Sequence, residues 1–447
     1  MYSAAPAAIE PRCLHTRESV MAAQPFTIDR LGECTVDSPM QGVNFTPDDE
    51  MVLCPSTMRE LQPYLDSGDP PPVFEMAGPR SRIYFDPQVV NCGIVTCGGL
   101  CPGLNDVIRS IVMSLYYHYH SKKVYGFRYG YEGLVPSYYH TPLELTPDRV
   151  DDIHQKGGSL LGSSRGPQDV GVMVDTLEHL GISILFVIGG DGTLRGARAL
   201  FEEISRRGKP ISVVGIPKTI DNDICYVDMS FGYETAVSES RISTYSAHVE
   251  AIGAKNGIGL VKLMGRESGF IAAQAALANS EVNFCLIPEI RFTLEGLMQA
   301  LTRRLKLRGH AVIVVGEGAG QDLLETDERV DASGNRRFAD VGMFLKQHIK
   351  DHYAKAGMDI TLKYIDPSYT IRSMPASAYD SAFCLQLGHH AVHAGMAGRT
   401  NMLVGHWNDR FTHVPIPLAI QSRKKVDPNG AFWSSVLSAT GQPADLT

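Results

Sequence analysis

The chain has 447 residues, 44% of them hydrophobic and 20% charged, and a formal net charge of −8. That length suffices for two or three domains of ordinary size. The negative balance argues against a nucleic-acid partner, and no apolar run reaches the roughly 18 residues of a membrane-spanning helix. An anionic substrate would have to be met by local lysines and arginines rather than by the overall field.

The nine cysteines are scattered without CxxC pairing and read as reduced thiols. Cys97 and Cys101 flank a glycine turn, where packing is a better account than metal ligation. Glu10 falls early, and no long apolar core follows it, so the first residues do not read as a secretory leader. The last four, Ala444-Asp445-Leu446-Thr447, are not a peroxisomal address. The expected location is the cytoplasm.

Residues 1–90 are rich in proline and read as a partly irregular extension that wraps the body or supports subunit contacts. From Asn91 the pattern alternates. Strands are expected at Cys92–Thr96, Ile184–Ile188, Ile211–Ile216, Ile258–Leu263, Phe284–Ile287 and Ala311–Val315. Helices are expected between them. Val107, Ile108, Ile111, Val112 and Leu115 recur at helical spacing, with Asn105 or Asp106 as a cap, and further helices are read at Arg195–Ile204, Thr235–Ile252 and Ser268–Ala278. The fold class is α/β with mostly parallel sheets, whose ligands bind at the carboxyl ends of the strands. Gln321–Asp340 reads as a polar surface excursion, and the basic stretch within Leu301–Arg308 as a solvated helix face.

Glycine turns sit at those carboxyl ends. Gly98-Gly99-Leu100-Cys101-Pro102-Gly103 can bring backbone N–H groups and a helix N-terminus to a phosphate, or can be only a tight turn. Arg165 stands in a loop of small residues, Leu161–Pro167, where a guanidinium reaches phosphate oxygens or a surface carboxylate. Gly189-Gly190-Asp191-Gly192-Thr193 leaves Asp191 at a sheet edge, to hold a magnesium ion that bridges phosphates or to cap the next helix.

The most informative segment is Pro217-Lys218-Thr219-Ile220-Asp221-Asn222-Asp223. Two carboxylates two residues apart, after a lysine and a threonine, suit removal of a hydroxyl proton beside a held phosphate. Either carboxylate can be the base while the other handles a cation or orients its partner. Downstream, Met264-Gly265-Arg266 can offset charge on a transferred group. Glu317 can accept from substrate hydroxyls or be only a helix-capping or solvent acid, and Tyr369-Thr370-Ile371-Arg372 sets a phenol and a guanidinium three residues apart for a phosphate.

Taken together these motifs resemble the phosphofructokinase family over residues 80–420, in the branch that holds pyrophosphate-dependent enzymes and atypical ATP-dependent enzymes of trypanosomatid type. The resemblance implies two Rossmann-like lobes with the site in the cleft between them. It assigns 91–235 with 373–425 to a nucleotide lobe, 236–372 to a fructose 6-phosphate lobe and 426–447 to a tail. It implies nucleotide contacts from Gly99, Arg165, Gly166, Gly190, Asp191, Gly192 and Thr193, with Mg2+ at Asp191. It makes Asp221 the general base, supported by Asp223, with Lys218, Thr219, Ile220, Met264, Gly265, Arg266, Glu317, Tyr369, Thr370, Ile371 and Arg372 around the sugar phosphate. Many bacterial members add two arginines from a neighbouring subunit. Here the matching positions fall near Gly257 and Lys363, so one arginine is absent and the other is replaced by lysine. A homotetramer is implied, with ATP and fructose 6-phosphate as partners.

The phosphoryl donor turns on two residues. Pyrophosphate-using relatives carry a second aspartate where this chain has Gly192, which leaves room for a nucleotide. Lys218 points the other way, because pyrophosphate enzymes use that lysine to grip the small donor. Steric exclusion is the harder constraint, so ATP is expected. The competing readings are a pyrophosphate-dependent enzyme, a lipid or NAD kinase sharing the GGDGT turn, and a regulatory subunit that binds sugar phosphate without turnover.

Overall fold

A computed structural model describes residues 26–121, 123–324 and 338–447. Among them are a nine-stranded and a four-stranded sheet, each carrying helices. The larger runs in the order Met51–Leu53, Val73–Met76, Arg410–Pro415, Met402–Trp407, Ser212–Pro217, Ile184–Gly189, Asn91–Thr96, Lys123–Phe127 and Leu143–Glu144. The central strands, from Met402–Trp407 to Lys123–Phe127, pair parallel, and antiparallel strands close both edges.

Burial on both faces explains why the central strands are continuously apolar. Along one strand Ile184, Phe186 and Ile188 enter one core cluster, while Leu185 and Val187 enter the cluster on the opposite face. The smaller sheet is wholly parallel, in the order Phe284–Leu286, His310–Gly316, Gly257–Leu263 and Thr361–Ile365. After it the chain returns through the Ala378–Met396 helix, which packs on the Leu104–Tyr117 helix, and Ser110 Oγ donates to the Leu385 carbonyl at 2.6 Å. The last helix, Ala431–Thr440, lies on the Phe270–Ala278 helix of the smaller lobe.

The six expected strands stand within a residue or so of their reading. Residues before Asn91 do more than wrap: Met51–Leu53 and Val73–Met76 extend the large sheet. Asn105 and Asp106 are not caps. The Leu104–Tyr117 helix starts after Gly103 at φ 97°, and Asn105 instead holds the loop at Lys156–Leu160, donating to the Lys156 carbonyl at 2.9 Å and accepting Leu160 N–H at 2.8 Å. The Gln321–Asp340 excursion begins with a short 3-10 turn, and most of it lies outside the described residues. Seven described cysteines are free. No described helix is long and apolar enough to cross a membrane.

Candidate active site

The strand ends of the larger sheet and the loops of the smaller one enclose a cavity of about 860 Å3. Gly99, Arg165, Gly166, Gly190, Asp191, Gly192, Thr193, Lys218, Thr219, Ile220, Asp223, Arg266, Glu317, Tyr369 and Arg372 line it. Motifs separated by up to 270 residues in the chain therefore meet at one place.

One side is built from the glycine turns. The first turn and the arginine loop are tied together: Gly98 N–H donates to the Ser164 carbonyl at 3.0 Å and Ser163 Oγ to the Gly98 carbonyl at 2.5 Å. A methyl group at Gly99 would stand 3.4 Å from an Arg165 terminal nitrogen. Asp191 is the first residue of the Asp191–Arg206 helix, with Gly190 as its cap, so the helix dipole favours anions there. Its carboxylate pairs with Arg195 at 3.2 Å and stands 3.7 Å from Arg423. A Cβ at Gly192 would meet nothing within 4 Å. Lys218 is 7% exposed and donates to the Gly99 carbonyl at 2.8 Å; burial pushes its ammonium down from the ordinary lysine value.

The other side holds the carboxylates. Asn222, at φ 54°, turns the chain between them, a conformation that asparagine tolerates. Its side chain locks that turn by donating to the Asp228 carbonyl at 3.1 Å and accepting Ser230 N–H at 3.0 Å. Asp223 is tethered at both oxygens, by Thr219 Oγ1 at 2.6 Å and Arg423 Nη1 at 2.7 Å. Asp221 differs. Its Oδ2 accepts only a long bond from Arg266 N–H at 3.4 Å, and its Oδ1 is buried and unpaired. Burial, then Asp223, raise its carboxyl to about 7, with Glu317 adding to the rise and Arg372 opposing it. A carboxylate with a free oxygen and a proton affinity near neutrality suits general-base work.

Arg266 comes from the smaller lobe. Gly265 precedes it at φ 119°, where any Cβ would also stand 2.7 Å from the Ser268 carbonyl. The Arg266 guanidinium lies 5.0 Å over the Phe338 ring. Glu317 and Arg372 face each other at 3.8 Å, and Tyr369 is 84% exposed at the cavity edge.

Some expected residues are elsewhere. Met264 and Ile371 are buried in the core, Gly265 and Thr370 do not line the cavity, and Asp221, next to the lining residue Ile220, does not line it either. Lys363 lies on the outer strand of the smaller sheet, 3.3 Å from Glu250. Sequence reasoning missed Arg195, Arg423, Tyr131 and Met173, which also line the cavity. Arg423 had a faint signal in the basic run Arg423-Lys424-Lys425, and Arg195 in its position one turn after Asp191. Among the described residues no group of three or more His, Cys, Asp or Glu side chains forms a metal cage. A lone cavity-facing carboxylate still fits Mg2+, which takes one or two carboxylates and completes its shell with water and substrate phosphates.

Comparison with known proteins gives a consistent result. Residues 91–395 match the family model described as Phosphofructokinase. The ATP-dependent 6-phosphofructokinase of Borreliella burgdorferi is 47% identical over 439 residues, covering 94% of this chain and 97% of the relative. That of Amycolatopsis methanolica is 48% identical over 434 residues, covering 93% and 94%. The enzyme of the same name from Trypanosoma brucei brucei is 48% identical over 374 residues, covering 83% and 77%. Among solved structures, the pyrophosphate-dependent phosphofructokinase of Marinobacter aquaeolei superposes with a TM-score of 0.66 at 19% identity, covering 79% of this chain and 92% of that one, a likeness of fold.

Proposed function

The chain belongs to the phosphofructokinase family and is an ATP-dependent 6-phosphofructokinase, and we propose that the cleft residues described above divide the work of moving the γ-phosphoryl of ATP to the 1-hydroxyl of fructose 6-phosphate, the glycolytic step that yields fructose 1,6-bisphosphate and ADP. The carrying observation is the unpaired Oδ1 of Asp221 beside Arg266 N–H. Asp221 accepts the proton of the attacking hydroxyl at Oδ1. Arg266 offsets charge on the transferred group, after leaving the Phe338 ring. Asp223 and Thr219 fix the orientation of the base through their 2.6 Å hydrogen bond. The roles are electrostatic and positional, as phosphoryl transfer requires.

On the donor side, Gly99, Arg165, Gly166 and the Asp191 helix terminus receive phosphates, and the open space at Gly192 admits the nucleotide. Asp191 would hold Mg2+, which when bound neutralises charge on the donor phosphates. Lys218 keeps the glycine turn in place through the Gly99 carbonyl while serving the donor phosphates. On the acceptor side, Arg372 and Tyr369 receive the 6-phosphate and Glu317 the sugar hydroxyls. Residues 91–235 with 373–425 are assigned to the nucleotide lobe and 236–372 to the sugar lobe. We place the enzyme in the cytoplasm.

Self-association into a tetramer belongs to the same reading. The Tyr233–Ile252 helix leaves Ile242, Tyr245, Val249 and Ile252 exposed at helical spacing, close in sequence to Glu250, the partner of Lys363. An unpartnered apolar stripe of this kind fits a second copy of the chain, and Lys363 would then serve a neighbouring cleft.

The test is turnover of fructose 6-phosphate with MgATP compared with magnesium pyrophosphate. Turnover with MgATP alone is expected. Turnover with pyrophosphate and none with MgATP would overturn the donor assignment.

A further inference from the structure

Residues 422–426 pass between the two loops that carry the reacting groups. On one side, Arg423 forms an antiparallel bridge with Ile224, and Lys424 N–H donates to the Asp223 carbonyl at 2.9 Å. On the other, Ser268 Oγ donates to the Lys424 carbonyl at 2.5 Å and Lys425 Nζ to the Glu267 carbonyl at 2.7 Å. Val426 N–H donates to Glu289 Oε1 at 2.9 Å, and the same oxygen receives Gly269 N–H at 3.0 Å. The strap thus holds the Asp221–Asp223 loop and the loop following Arg266 in one register.

From this strap the Arg423 side chain reaches the cavity wall. Its Nη1 donates to Asp223 Oδ2 at 2.7 Å, and its Nη2 lies 3.7 Å from Asp191 Oδ2. Those two carboxylates follow different strands, Ser212–Pro217 and Ile184–Gly189. One belongs to the acceptor side of the cleft and the other to the donor side. A planar guanidinium can span both from a single fork, whereas an ammonium is a point charge. The connection continues inward: Asp223 Oδ1 receives Thr219 Oγ1 at 2.6 Å, and Thr219 Oγ1 receives Asp221 N–H at 3.3 Å.

We propose that Arg423 is a positioning residue for phosphoryl transfer, holding Asp223, and through Thr219 the base Asp221, in register with the donor-side carboxylate Asp191. The inference rests on the phosphofructokinase reading. It makes Arg423 act through its carboxylate partners rather than on the sugar, so it governs the rate of the bound complex more than sugar affinity.

Steady-state kinetics of the full chain with MgATP and fructose 6-phosphate test it. Arg423→Ala is expected to lower kcat roughly 10–100-fold, the usual effect of removing a group that orients a ligating or catalytic one. KM for fructose 6-phosphate should stay within about threefold. Added guanidinium ion should restore part of the lost kcat. Arg423→Lys should recover little, because it cannot span both carboxylates. With Asp223→Ala in place, adding Arg423→Ala should cost little further, since the carboxylate that Arg423 holds is already gone. The proposal is overturned if Arg423→Lys keeps kcat within about threefold of the parent, or if the two losses multiply. Should Arg423→Ala not fold, Arg423→Lys decides alone. Turnover by the parent chain is read in the same assay: its absence counts against the functional reading, while parent turnover with unimpaired variants counts against Arg423 only.

Discussion

Asp221 Oδ2 accepts the backbone N–H of Arg266 at 3.4 Å, so the base from the larger sheet and the main chain of the smaller lobe's Arg266 meet across the cleft. The Arg266 backbone is held firmly. Gly318 packs so closely on the Arg266 carbonyl that no Cβ would fit, and Gly318 N–H donates to the Gly265 carbonyl at 2.9 Å. The base is therefore located by rigid main chain while its second oxygen stays unpaired.

Replacing Asp221 by Ser should remove most turnover and little else. The loss in kcat should be about 10²–10⁴-fold, the contribution of a positioned base. Sugar binding should persist because Glu317, Tyr369 and Arg372 are untouched. Steady-state kinetics with an equilibrium binding measurement for fructose 6-phosphate check this, and near-normal kcat would refute the assignment.

The raised carboxyl of Asp221, at about 7, sets the acid limb of activity. The base must be ionised, so kcat/KM should fall as pH drops through about 7. Glu317 raises that value and Arg372 lowers it; Glu317→Gln should therefore move the limb to lower pH and Arg372→Met to higher pH. The same shift has a stability consequence. Asp221 binds its proton more tightly folded than unfolded, so ionisation above pH 7 penalises the folded state. Asp221→Asn should raise the melting temperature at pH 8, with the gain declining as pH falls from about 7 and gone below about 4, where the carboxyl is protonated in both states.

Much of this site was legible because it is written in backbone-specific motifs. Glycines at strand ends and paired acids after a strand announce where a sheet presents its ligands, and the structure brings Asp191, Asp221 and Arg266 together from those turns. What was not legible depends on tertiary return. Arg423 looks like part of a solvated basic run until the strap carries it back to Asp223, 200 residues earlier. The strands at Met51–Leu53 and Val73–Met76 lacked signal because they are short: the first is an edge strand that pairs with the second, and the second joins the sheet through Arg410–Pro415, hundreds of residues away. Asn105 and Asp106 were misread as caps because a local rule was applied where long-range partners, Lys156, Leu160 and Ser381, had claimed the side chains.

Gly192→Asp should weaken use of MgATP without disturbing the fold. Nothing stands within 4 Å of a Cβ there, so a side chain can branch from the backbone without a clash at its base. It also enters the first turn of the Asp191–Arg206 helix, where an acid is favourable. Its cost falls on the nucleotide, whose phosphates would meet a carboxylate. We expect kcat/KM for MgATP to fall at least about tenfold, a loss of about 1.4 kcal/mol, with an unchanged melting temperature.

Tyr245→Lys should weaken self-association. Tyr245 is 59% exposed within the apolar stripe of Ile242, Val249 and Ile252. A charge there should shift sedimentation toward smaller species while monomer folding is kept. An unchanged size distribution would remove this face from the interface.

Glu75 offers a test of how the early strands are held. It is 5% exposed, and its Oε1 faces Arg399 at 2.8 Å, Arg80 at 3.2 Å and His413 at 3.1 Å, while Oε2 faces Arg30 at 2.8 Å. Arg80 and Arg399 are themselves buried, with Asp48 as their other acidic partner. Glu75→Gln keeps the shape but removes the shared negative charge, leaving buried guanidinium groups under-compensated. The expected cost is about 3–5 kcal/mol at neutral pH, read by urea denaturation. Burial opposes ionisation of Glu75, but His413, Arg399 and Arg30 outweigh it and hold the carboxyl well below its usual range. The stabilisation is therefore fully present above the unfolded-state value, about 4.3, and declines as pH falls below it, because the unfolded chain then takes up the proton first. The difference between parent and Glu75→Gln should shrink on acidification from pH 5 to pH 3; a difference independent of pH would mean that packing, rather than the buried charge, attaches this strand.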